Sequence, residues 1–87
     1  MKNLADKNIN SYLKFVYSEN DTLSIIFQNN ELFSGVLGEF NNNIKELEKI
    51  TKTNIYTRGN SISIKTDQKN NEKIKSAIVV LAERYLI

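Results

Sequence analysis

The residues of this chain best suited to chemistry are cationic or lie in a loop. Between two stretches of helical apolar spacing stands Gly38-Glu39-Phe40-Asn41, shortly before Ile44. A glycine there lets backbone N–H groups approach a phosphate with no Cβ in the way, at the positive end of the following helix. Asn41 is, after glycine, the residue type most able to adopt a left-handed backbone. Glu39 works against such a site, because it sets a negative charge where phosphate would lie. Phe40 offers a ring that stacks on a base or a partner protein, or else folds back as a staple on the helix pair. Lys45, Lys49 and Lys52 recur at i, i+4 and i+7 and form a cationic wall beside the loop. With Glu46 and Glu48 interleaved, the same pattern also describes an ordinary solvated helix face. Arg58, at a hairpin tip, has the fork geometry for bidentate contact with phosphate or carboxylate, and would equally serve to dock a neighbouring domain.

The same inventory excludes most catalysis. The chain contains no histidine and no cysteine, which removes disulfides, thiolate chemistry, the common zinc sites and any imidazole base. Glu46 and Glu48 are two residues apart and point to different sides of a helix, so they do not form an acid/base pair. Gly35, Gly38 and Gly59 are the only glycines and none precedes a lysine, so the phosphate-loop pattern G-x-x-x-x-G-K-[ST] is absent. No catalytic residue and no metal site is assigned, and ATP hydrolysis by this chain is not expected.

Eighty-seven residues are enough for one small domain. Ordering them costs on the order of 1.5 kcal/mol per residue, roughly 130 kcal/mol in all, so nearly every side chain in the 40% apolar fraction must be buried. The longest apolar run, residues 77–82, falls far short of the ~20 residues of a membrane span, and the first residues lack the apolar segment of a signal peptide. The expectation is a soluble, cytoplasmic domain without a membrane partner. A net charge of +2 is too mild to name a partner. Asn, Ile and Lys supply 13, 11 and 10 residues, the bias of an AT-rich coding sequence, so Asn41-Asn42-Asn43 reads as drift plus capping.

The positioning elements follow from periodicity. Leu23, Ile25 and Phe27 alternate as one face of a strand. Asn29 or Asn30 can start a helix over residues 30–37, with Leu32, Phe33, Val36 and Leu37 at helical spacing and Gly38 as its stop. A second helix is expected over residues 42–52, with Asn43 and Glu46 as a capping-box-like pair and Ile44, Leu47 and Ile50 as its apolar stripe. Gly59-Asn60 is a two-residue turn that pairs Arg58 with Ser61, Thr57 with Ile62 and Ile55 with Ile64. Ile55, Thr57, Ile62 and Ile64 then share one face of the hairpin, and Tyr56, Arg58, Ser63 and Lys65 the other. Asp67 or Asn70 caps a last helix striped by Ile74, Ala77, Ile78, Leu81 and Tyr85. Residues 12–17 read as an added strand, or as a helix packed at the domain edge, with the strand favoured. The division is thus an N-terminal extension, residues 1–22, and a domain, residues 23–87.

The resulting order, β-α-α-β-β-α, is that of the type I KH fold, an α+β fold with a small antiparallel-containing sheet packed on helices. Its GxxG loop between the two consecutive helices clamps a single-stranded backbone. Here Gly38-Glu39-Phe40-Asn41 keeps the first glycine and replaces the second by Asn. The string Gly35-Val36-Leu37-Gly38 also fits GxxG but lies inside the first helix. Residues 23–85 further resemble the N-terminal KH-like domain of PhoH-like proteins, the phosphate-starvation-inducible P-loop ATPases. The shared positions are Asn30-Glu31-Leu32, Gly38, Asn43-Ile44, Leu47-Glu48, Ile55, Arg58-Gly59-Asn60, Ile62, Ile64, Leu81 and Tyr85, with Lys52 and Thr66 where the family more often has glycine.

That resemblance implies an accessory domain that binds or guides single-stranded RNA through Gly38, Glu39, Phe40, Asn41, Lys45, Lys49 and Arg58. It places ATP and Mg only in an adjoining ATPase domain. The alternative it leaves open is a protein-interaction, oligomerisation or regulatory domain with no nucleic-acid role. Val79, Val80, Leu86 and Ile87 widen the apolar surface of the last helix and either cover the N-terminal segment or mark a candidate interface with a second copy or the ATPase domain. The apolar ending Tyr85-Leu86-Ile87 fits a piece of a longer protein.

Overall fold

Alternating apolar residues make a sheet with one greasy face, and that face must be covered. The computed structural model describes residues 9–86, apart from the side chains of Asn10 and Leu86. Its elements are β1 (Leu13–Ser18), β2 (Thr22–Phe27), α1 (Asn30–Leu37), α2 (Asn42–Thr51), β3 (Ile55–Arg58), β4 (Ser61–Lys65) and α3 (Gln68–Leu86), with short 3-10 turns at Ile9–Ser11 and Glu39–Asn41. The four strands form one antiparallel sheet in the order β1-β2-β4-β3. Among the described residues the fold is α+β, with three α-helices over one sheet face.

The expected strand at residues 12–17 is present as β1, which pairs along its whole length with β2 from Leu13↔Phe27 to Ser18↔Thr22. The hairpin register is also as expected, with Arg58 opposite Ser61, Thr57 opposite Ile62 and Ile55 opposite Ile64. Of its two turn residues only Gly59 has a positive φ (58°), the pattern of a turn with glycine in the first central position. Asn60 fastens this tip to the end of β2. Its Nδ2 donates to the Phe27 carbonyl (2.6 Å), and the Phe27 N–H donates to the Asn60 carbonyl (2.9 Å).

Leu23, Ile25 and Phe27 of β2 and Ile62 and Ile64 of β4 are fully buried against Leu32, Val36, Ile74, Ile78 and Ala82 from the helices. Phe33 tilts onto Phe27, ring centroids 5.1 Å apart. Gly35 lies inside α1, where a Cβ would run into the ring of Tyr85 from α3. Its GxxG string is therefore part of a helix-packing surface. Thr57 shares the inward register but sits on the short edge strand and stays exposed.

Side-chain bonds tie α3 to β1 and to the β1–β2 turn. Asp67 caps the helix by accepting from Asn70 N–H (2.8 Å). The Tyr17 hydroxyl donates to Glu72 (2.7 Å), and Lys75 donates to the same hydroxyl (3.0 Å) while lying over the Phe15 ring at 4.5 Å. Asn71, only 3% exposed, donates through Nδ2 to the carbonyls of Asp21 (2.8 Å) and Thr66 (3.2 Å), joining the β1–β2 turn to the start of α3. Removing that amide strands two carbonyls. Asn71→Ala is expected to lower stability by about 1–3 kcal/mol, seen as a lower urea midpoint by circular dichroism with an unchanged slope; a shift below about 0.5 kcal/mol would mean that the carbonyls find other partners.

Candidate nucleic-acid interface

The site begins where α1 stops. Asn29 caps the helix start by accepting from Leu32 N–H (2.9 Å), and Gly38 ends it with φ 77° and ψ 173°, its N–H donating to the Ser34 carbonyl. That pair of angles falls in a region open essentially only to glycine. Asn43 closes the joint from the other side, its Nδ2 donating to the Val36 carbonyl (3.1 Å). A Cβ on residue 38 would also press on the Asn43 amide. Asn43 therefore caps the end of α1 and does not form the expected box with Glu46. It lies inside α2, where a side-chain cap on its own helix is out of reach.

The chain then turns through Glu39, Phe40 and Asn41, all exposed. Phe40 (φ 54°, ψ 30°) and Asn41 (φ 60°, ψ 26°) are both left-handed. Asn tolerates this; for a bulky residue it is an outlier that costs on the order of 1–3 kcal/mol. The Phe40 ring recovers none of that cost by burial, since the residue is 81% exposed. The staple alternative for Phe40 is thus not the one adopted. Asn41 precedes α2 without a side-chain cap bond, and the Asn42 N–H donates to the Glu39 carbonyl, so this helix start lacks only the side-chain partner that Asn29 and Asp67 supply elsewhere.

Lys45, Lys49 and Lys52 are exposed along α2. Lys52 forms the helix end with φ 53°, a conformation that glycine adopts without a steric cost. Glu48 does not answer the lysines as a free surface charge, because its Oε2 accepts from Ile55 N–H (2.7 Å) and fixes the start of β3. Ile44 is buried and Leu47 half-buried, but Ile50, the third residue of the expected stripe, is 67% exposed. The short α2 has turned that position past the edge of the core.

Arg58 is exposed at the hairpin tip. Its neighbour Thr57 has the inward register, so Arg58 projects from the sheet face opposite the helices. The structure thus gathers Gly38, Glu39, Phe40, Asn41 and Lys45 at one turn of chain and helix start, extends them by Lys49, and sets Arg58 on another surface. Of the expected interface residues, Val79 packs partly into the core and Val80 is 47% exposed. Ile87 and the Leu86 side chain lie outside the described residues. Val80, Leu47, Ala77 and Leu81 line an apolar groove of about 350 Å³ between α2 and α3, flanked by Glu46 and Arg84.

Among the described residues no cluster of acidic, His or Cys side chains is placed to hold a metal ion, and no helix is long and apolar enough to cross a membrane. In comparisons with protein-family models, curated proteins and solved structures, the chain matches none of them.

Gly38→Ala is expected to lose about 1–3 kcal/mol of stability, because any Cβ meets both the forbidden backbone angles and Asn43. Thermal unfolding by calorimetry measures this; a loss under about 0.5 kcal/mol would show that the α1–α2 joint relaxes to a conformation open to alanine.

Proposed function

We propose that this chain is a KH-like accessory domain, of the kind that precedes the motor in PhoH-like ATPases, and that it binds single-stranded RNA at the α1–α2 joint. The observation that carries the reading is Phe40: an aromatic ring 81% exposed on a left-handed backbone. Such strain persists only where the surroundings impose it, and it clusters at sites that use it. Support comes from the order β2-α1-α2-β3-β4-α3, which follows the type I KH sequence of elements with β1 added, and from the position of the loop between its two consecutive helices. The α2 start offers N–H groups to a phosphate, Lys45 and Lys49 add positive charge within the first two turns, and Phe40 stacks on a base. ATP and Mg belong, on this reading, to an adjoining ATPase domain.

A second reading is favoured by the α2–α3 groove and the exposed Val80, which suit docking of an apolar segment of the ATPase domain or of a second copy.

The test is fluorescence anisotropy of a labelled single-stranded RNA at about 50 and 200 mM salt. Binding is expected to weaken with salt. Phe40→Asn is expected to lose about 1–3 kcal/mol of affinity with the lost stacking, yet to be at least as stable as the parent, because Asn accepts the left-handed backbone. Lys45→Glu with Lys49→Glu is expected to weaken binding further and flatten its salt dependence. A folded domain that binds no RNA at about 50 mM salt overturns the RNA reading and leaves docking through the groove.

A further inference from the structure

The helices cover one face of the sheet, and the other has a charge pattern of its own. Lys14 of β1, Lys65 of β4 and Arg58 of β3 all carry the outward register and are exposed. No carboxylate shares that face: the acidic residues of the described chain lie in the β1–β2 turn, in the loops that flank α1 and α3, or on the helices. A chain with 12 basic and 10 acidic residues, nearly balanced overall, therefore presents three cations and no anion on one surface.

No helix covers this surface, and it carries one aromatic side chain. Val16, Ser24, Ser63 and Tyr56 form a row across all four strands, with Tyr56 60% exposed at its β3 end. The two serines at its centre are small and sit within 3.3 Å of each other, so nothing stands between a planar ligand and the sheet. Lys14 and Arg58 end the adjacent row, separated by three interstrand steps, roughly 14 Å.

We infer that this open sheet face is a second binding surface for single-stranded nucleic acid, laid across the strands with a base on Tyr56 and phosphates at Lys14, Lys65 and Arg58. Cations with an aromatic ring among them on an open, carboxylate-free surface are what a single-stranded polyanion requires. A second copy of this chain is disfavoured as the occupant, since face-to-face packing would bring six cations together without a counter-charge. The inference takes its class of partner from the RNA reading above but uses a surface that the α1–α2 joint does not share.

The experiment leaves Arg58 intact and compares the full chain with three variants: Tyr56→Ala, the double Lys14→Glu/Lys65→Glu, and Phe40→Asn in the loop. Each is checked for folding by circular dichroism and titrated with labelled single-stranded RNA at low salt. Tyr56→Ala is expected to weaken binding about fivefold or more, and the double charge reversal about tenfold or more. Lys14→Arg/Lys65→Arg is expected to bind like the parent, and RNA is expected to shift backbone amide resonances of β1, β2 and β4. Loss in the sheet variants with none in Phe40→Asn supports this surface and removes the loop reading. Loss in Phe40→Asn with parental binding by both sheet variants overturns this inference and leaves the loop reading standing. No RNA binding by the folded parent overturns both. Binding to phosphatidylglycerol vesicles with none to RNA assigns the face to anionic lipid and overturns the inference.

Discussion

The antiparallel pairing of β2 with β4 is the interaction on which the rest of this domain depends. These strands occupy the centre of the sheet, and their inward residues, Leu23, Ile25 and Phe27 on one and Ile62 and Ile64 on the other, are all fully buried. In a chain this small there is no second core to share the load. A slip of one residue between β2 and β4 would turn one strand's whole inward set to the open face. The two strands are far apart in sequence, so closing their register also encloses α1, α2 and β3 between them. Asn60 adds a lock at the end of the pair, with its amide and its carbonyl both bonded to Phe27.

The joint between α1 and α2 follows from that enclosure. The chain must pass from one helix to the next within a few residues, and it does so by placing Gly38 in a glycine-only conformation and Phe40 and Asn41 in left-handed ones. Asn43 then satisfies the Val36 carbonyl that the reversal would otherwise strand. Phe40 sits exposed and left-handed because the residues on both sides are held. The result is an exposed ring beside a helix start that no side chain caps.

Asparagine, which composition alone reads as a coding bias, turns out to have specific structural work at several positions. Asn29 caps α1, Asn43 closes the α1–α2 joint, Asn60 fastens the hairpin tip and Asn71 joins the β1–β2 turn to α3. Asn20 and Asn41 take the left-handed backbone. Each use rests on a short amide that bonds to nearby backbone or tolerates positive φ. A sequence biased toward Asn can supply many such joints without proline and with only three glycines.

The sequence by itself determined what is local. The strand alternation of residues 23–27, the stop at Gly38 and the whole register of the β3–β4 hairpin depend on neighbours a few residues away, and each stands where periodicity and turn chemistry place it; of the two caps open for α3, Asp67 is the one used. Tertiary structure decided what depends on distant partners. Ile50 is exposed because α2 meets the core through Ile44 and Leu47 and not beyond them, which its own stripe does not specify. Asn43 bonds across to α1 because that carbonyl is nearer than its own helix start. Asn71 is buried because the β1–β2 turn arrives above it; its only trace in the sequence is its position three residues before Ile74, in phase with the apolar stripe of α3. Arg58 and the Gly38 loop look like one site along the chain, but strand pairing sets them on different surfaces. Side-chain direction in a strand follows from register, and which face the helices cover is settled only when the sheet is assembled.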